Sequence, residues 1–542
     1  MSRSRMHQAG RRSLPLLVVA VVALQLAGVD RAAAATLDVC RSGCPYRQLG
    51  PAVAAAHDGD TIRMGPGTYL GGVTIDVSVR VIGADAGSTV LRGGGPVLTI
   101  GAFGAAVEPT VSLEGLTITG GVTRSSPQSV DFVGEGGVIA LGGGIEIPPN
   151  ADFTGGATVT VSDSVISGNR VAPTHALPLG PPCPHGPCPF ALAAGGGIDS
   201  WGRLTLEGST VSGNLVGTAS GLSDVASDAV GGGIRSWLDD LTISDSVIGD
   251  NAATATAPNG RFAEGGGIHA TNGSVAIADS AVTGNRTVLQ AALPASVEML
   301  AQSGGFFIDS DGLRATVTGS SISGNSVSMT NTVGDATAFS GGINIGPAVN
   351  FAMRDSVISD NRVSASTLRG SRGNAEGDTG GAAVLGTVAR VEVTGNTVTV
   401  LSASGDATAA IGGLIHTGTL STSIVSGNHV RASSPRGSAT VLGAGILVAE
   451  AGLTIRASAV TGNTGEAFGR RGLARGGGIY DGPIFDLVGS PLVLSGSTVS
   501  GNTLTASGSI TVEGGGLFVQ DQPVTLIHTE IEGNAPDQCV GC

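Results

Sequence analysis

In Gly265–Asn285, GGGIHATNGSVAIADSAVTGN, apolar residues alternate with small polar ones in short bursts. A period of two predicts strands, because successive side chains of a strand point to opposite faces. The first strand starts at Ile268 and a tight turn falls at Thr271–Gly273, after which Val275, Ile277 and Ala281–Val282 alternate inward. Asn285 closes the run where the chain must turn a corner, and Asn is the non-glycine residue that best takes the left-handed conformation.

The same pattern recurs along the chain. A glycine cluster with an aliphatic residue opens each copy, as at Gly142–Ile145, Gly195–Ile198, Gly231–Ile234 and Gly476–Ile479. Words such as SDSVISGN close it, ending at Asn169, Asn214, Asn251, Asn285, Asn325, Asn361, Asn396, Asn428, Asn463, Asn502 and Asn534. A fixed short word repeated at this spacing predicts an all-β parallel β-helix solenoid, in which each copy is one coil. Stacked coils put these asparagines in a column, where their amides can hydrogen-bond as a structural ladder. Between each Asn and the next glycine cluster lie Ala/Ser/Thr-rich arcs of varying length, such as Ser326–Ser340 and Arg362–Thr379, which read as loops on one face. Arg170–Ala194, the longest and rich in proline, reads as a semi-rigid wall.

Composition supports this reading. The 542 residues include 90 Gly, and only 3% are aromatic and 13% charged, so there is little volume for an ordinary globular core but enough Val, Ile, Leu and Ala for a narrow one. The chain has no lysine, which removes Schiff-base chemistry. Residues Met1–Ala35 carry Arg3, Arg5, Arg11 and Arg12, then the apolar run Leu14–Gly28, then Ala32–Ala35. This order predicts a secretory signal peptide cleaved near Ala35, with an uncleaved anchor as the alternative. No later segment reads as a membrane span. Cleavage takes the formal charge from −14 to −18, since five Arg and one Asp leave (28 to 23 basic, 42 to 41 acidic). An exported chain this acidic disfavours nucleic acid and anionic lipid as partners.

Three local cysteine pairs, Cys40–Cys44, Cys183–Cys188 and Cys539–Cys542, predict disulfides in an exported chain, the last as a terminal staple over residues 539–542. His185 between Cys183 and Cys188 lacks the second half of a zinc motif, so no metal site is assigned. Pro45–His57 reads as a short amphipathic helix that caps the first coil and, with the following strands, forms an N-terminal cap over residues 36–90; the repeats then fill 91–538.

The DGDTI and GPGTY words after that helix, LEGLTITGG at Leu113–Gly121 and the GGGI/SGN repeats resemble right-handed parallel β-helix proteins of the pectin-lyase-like fold. The repeats are also similar to those of polymorphic outer-membrane and other adhesin-like surface proteins. The resemblance implies a surface or secreted scaffold that contacts extracellular glycans or cell-surface proteins. It also implies an alternative: a polysaccharide lyase or glycoside hydrolase acting on an acidic polysaccharide.

Chemistry is sought on outward positions just after the glycines, where that row reads Glu146, Asp199, Arg235, His269, then Phe307, Asn344, Ala383, Ile415, Leu447, Tyr480 and Phe518. Glu146, Asp199, Arg235 and His269 are candidate catalytic groups. Trp201 and Trp237, on consecutive coils, are candidate glycan-stacking platforms. The competing reading is a solvated, charge-mixed face with the two indoles packed on the proline-rich loop. No cofactor is implied. Calcium at Asp58, Asp60 and Asp76, or at Asp239, Asp240 and Asp245, is weighed against turn and surface roles for the same carboxylates.

Overall fold

The computed structural model describes the chain from residue 34 onward, except 127–137, 174–189, 218–225, 257–259, 296, 298, 310–311, 348, 369–372, 484–490 and 521. The signal-peptide stretch up to residue 33, and Cys183, His185 and Cys188, lie outside the described residues.

The chain is a parallel β-solenoid of about 11 turns. Among the described residues the strands form three parallel sheets of 26, 14 and 19 strands, called here the first, second and third. One turn shows the path. Ile268–Thr271 and Val275–Ala278 lie in the first sheet, Ala281–Thr283 in the second, and Arg286–Ala291 with Leu300–Gln302 in the third. Each strand pairs in parallel register with the same word one turn away, so Ile268 stands between Ile234 and Phe306. The inward positions Ile268, Val275, Ile277 and Val282 are buried in one continuous core that runs the length of the solenoid.

Two hydrogen-bonded columns mark the corners. Each asparagine of the closing words donates from its backbone N and its Nδ2 to the Oδ1 of the next, from Asn169 to Asn534, at 2.9–3.1 Å. Gln538 ends the column, its Oε1 accepting from Asn534 N and Nδ2. The serines of the same words form a second column, seen in Ser164 N to Ser209 Oγ and Ser209 N to Ser246 Oγ. The conformation expected of the asparagines belongs to their predecessors: Gly284 has φ +65° before Asn285, and Asp250 has φ +55° before Asn251. The reason is division of labour, since the Asn side chain must turn inward to the ladder while the residue before it makes the bend. At the next corner Gly265 has φ +60°, and a Cβ on Gly267 would stand 2.5 Å from Gly305 O, so no larger residue fits.

The arcs are not loops. Ser326–Asn331 with Ala336–Phe339, and Arg362–Thr367 with Ala375–Asp378, are strands of the third sheet. In most turns the arc is two strands, and in the last three it is one long strand, His429–Leu442, Thr464–Arg475 and Thr503–Glu513; the arcs enclose a second core of Ala253, Ala263, Val327, Ala338, Ala365 and their like. Packing this close favours Ala and Val, with Leu289, Met329 and Leu504 as the larger exceptions, which is why the arcs are poor in large apolar residues. The third sheet is thus a flange standing along the solenoid.

At the start, Thr36–Val39 pairs with Thr61–Met64 as the first rung of the first sheet. The helix expected over Pro45–His57 is a single turn, Leu49–Val53, that buries Leu49, Ala52 and Val53. Five residues are too few for a stable isolated helix, and Gly50 and Pro51 inside the segment limit it further. Cys40 and Cys44 are disulfide-bonded. Cys539 and Cys542 are also paired, with Cα atoms 6.1 Å apart.

Candidate functional site

The flange joins the solenoid at the glycine corner, and the inner angle between them contains the row singled out in the sequence. The row is in register: Thr99 beside Glu146, Glu146 beside Asp199, Asp199 beside Arg235, Arg235 beside His269, and His269 beside Phe307. The expected solvent exposure is corrected, because Glu146, Asp199, Arg235 and His269 are 3%, 0%, 2% and 5% exposed. The second strand of each arc lies against the outward face of the row and removes it from water. The result is a seam. Ile139, Leu141, Ala194 and Val230 line it on the turns of Glu146, Asp199 and Arg235, and Leu447, Tyr480 and Phe518 with Ala410 and Leu442 fill its C-terminal end.

Ahead of that apolar end the outward row is polar. Arg235 Nε stands 2.7 Å from Asp199 Oδ1, and Nη2 donates to Oδ2 at 3.4 Å. The guanidinium lies 5.4 Å from the Trp201 ring centroid and 5.5 Å from that of Trp237, and the two indoles are 5.7 Å apart. The indoles do meet on consecutive coils, but both pack on an arginine, and Trp201 is only 9% exposed. Further along, Nε2 of His269 is 3.1 Å from Oε2 of Glu264, Gln302 donates to Glu264 Oε1 at 2.9 Å, and Asn344 donates to Gln302 Oε1 at 3.4 Å. His269 also packs on Phe307, centroids 5.1 Å apart.

Glu264, Gln302, Asp228 and Asp378 were not among the sequence candidates, although each lies in the last three residues of its arc's second strand. Their signal was a polar residue shortly before a glycine cluster, visible only once the arcs are read as strands. Burial pushes the Asp199 carboxyl up to about 6 against the pull of Arg235 and a hydrogen bond from Trp201. Asp228 rises to about 7 through burial and the nearby Glu264. Asp378, which accepts a 2.8 Å hydrogen bond from Thr379 Oγ1, rises to about 7 through burial.

A pH prediction follows for Asp378. Its folded pKa is about 7, above the ordinary carboxylate value of 3.8, so the folded chain keeps a proton that the unfolded chain has released. Stability from this group therefore falls as pH rises through that window. Asp378→Asn should leave stability nearly unchanged near pH 4 and exceed wild type by about 4 kcal/mol at pH 8. Urea melts of both chains across the range measure the gap, and a pH-independent gap contradicts the assignment.

Four of the six carboxylates weighed for calcium have other partners. Asp58 accepts from Ser78 N and Asp60 from the Ala35 and His57 backbone. Asp239 and Asp240 each stand 3.6 Å from Arg203. Among the described residues, no group of three or more His, Cys, Asp or Glu is placed to hold a metal. Among them also, no helix is long and apolar enough to cross a membrane.

No protein-family model matches the chain, and no curated protein sequence matches it either.

Proposed function

We propose that the chain is an exported, non-catalytic β-helix scaffold, secreted or held at a cell surface, that presents its flange and loops for adhesion or glycan contact. Its repeats are read as those of a pectin-lyase-like solenoid of the adhesin-like kind. The observation that carries this reading is the burial of Glu146, Asp199, Arg235 and His269 in the seam. A hydrolase or lyase must open its acid and base to a polymer, whereas groups paired out of solvent tie a flange to a solenoid. The Arg235 guanidinium packed against both Trp201 and Trp237 likewise supports a packing role for the indoles over a sugar platform.

The test is incubation of the whole protein with a panel of acidic polysaccharides. No new reducing or unsaturated ends are expected. Cleavage that disappears in Glu146→Gln or Asp199→Asn would replace the scaffold reading with the lyase or hydrolase one.

A further inference from the structure

The outer edge of the flange, where each arc turns back, carries a cleft beside a group of arginines. In the turn of His429–Leu442 the buried Ser434 fixes the bend: its Oγ donates to Gly405 O at 2.6 Å and accepts from Gly437 N at 2.9 Å. Pro435 and Arg436 are thereby held outward, both exposed, and the proline ring adds its own fixed φ. With Thr367, Leu368, Leu401 and Ala403 from the two preceding turns they line a cleft of about 640 Å³. Leu368 and Leu401 are each 46% exposed. On the following turn Arg470 and Arg471 are exposed at the same edge, where the register steps from Ser434 opposite Gly469 to Ser438 opposite Arg471. Among the described residues Arg436, Arg470 and Arg471 have no ion-pair partner, whereas Arg431 pairs with Glu466 at 3.1 Å. The nearby Asp406 accepts from Ser438 N at 2.7 Å. On a chain of formal charge −14, three guanidiniums against that one carboxylate make the edge a local positive patch.

We infer that this edge docks an extended peptide segment of a partner protein, one in which large apolar side chains are flanked by carboxylates. The inference names a partner for the adhesion reading above and rests on it. Leu368, Leu401 and Pro435 supply aliphatic walls for an apolar side chain. Arg436, Arg470 and Arg471 supply guanidiniums, which take carboxylates in bidentate hydrogen bonds. The hydrogen bonds of Ser434 set the bend before a partner arrives, which reduces the ordering cost of binding. A glycan fits less well, since no aromatic ring among the described residues lines the cleft to stack on a sugar face. In the column of Leu401 the aromatic Phe468 stands two turns on, and its ring already carries the Arg431 guanidinium at 4.6 Å. A cationic segment is repelled by the same arginines.

The experiment titrates the full chain into a labelled short peptide of alternating leucine and glutamate, in salt of about 0.15 M. A serine–glutamate peptide, a leucine–lysine peptide and a sulfated oligosaccharide are the other probes. Fluorescence anisotropy should show saturable binding of the leucine–glutamate peptide alone, weakened roughly tenfold or more by Arg436→Glu and several-fold by Leu401→Ser. Both side chains are exposed, so both variants should fold, and unchanged circular dichroism checks this. Equal or tighter binding of any other probe overturns the inference, as does peptide binding that neither variant alters. If the sulfated oligosaccharide is the probe that binds, and Arg436→Glu abolishes it, the patch is a site for an anionic glycan instead. Absence of binding by every probe also overturns the inference, while the scaffold reading is decided separately by the polysaccharide panel.

Discussion

Replacing Asn285 with alanine is expected to cost the solenoid about 3–5 kcal/mol, among the largest single losses available in this chain. The Asn285 amide donates to Ile248 O at 2.8 Å and to Asn325 Oδ1 at 3.0 Å, while its own Oδ1 accepts from Asn251 N and Nδ2 at 3.0 Å. The side chain is fully buried, so water cannot replace these bonds, and truncation leaves two donors and a carbonyl unmet. Asn285→Asp should be at least as damaging, because a carboxylate oxygen would then face both acceptors. Coils contact only their neighbours, so the damage should be local: hydrogen-exchange protection should collapse around residues 251–325 before the distant coils. Asn534→Ala should cost less, since its neighbour is Gln538 on a tail that water reaches. Equal losses at the two positions would show that the ladder is not what holds the corners.

The ladder was legible in the sequence because Asn recurs at one fixed place and a parallel stack brings identical places together. The in-register row Glu146–Asp199–Arg235–His269 was legible for the same reason. What covers that row was not. An arc such as RVSASTLRGSRGNAEGDT has the alternation of strands, but its apolar positions hold Ala, Val and Gly, which hydropathy alone reads as a loop. Such residues are small because two facing strands close on them, a constraint that comes from the third dimension. Missing the flange turned a buried seam into an expected surface, on which Glu146, Asp199, Arg235, His269 and the two indoles read as candidates beside a solvated structural face. Glu264 shows the point: it lies five residues before His269 and meets it across the corner.

Arg235 provides the second large effect. Arg235→Met should destabilise the chain by about 3–5 kcal/mol, because it leaves the Asp199 carboxylate in the seam without its cation. Asp199→Leu alone should cost a similar amount by stranding the guanidinium, for which cation–π contact with two indoles is partial compensation of about 1–2 kcal/mol. The double variant should recover most of the loss, coming within about 1–2 kcal/mol of wild type, since apolar side chains of similar volume need no desolvated charge. A strongly positive coupling in this cycle identifies the ion pair as the interaction that matters; simple additivity would mean that shape alone fills the seam. The readout is built in. Trp201 and Trp237 are the only tryptophans in the chain and both lie against Arg235, so intrinsic fluorescence reports seam opening directly. In Arg235→Met that signal should change at lower denaturant than circular dichroism of the sheets, because the flange can part from the solenoid while the asparagine ladder still holds the coils together.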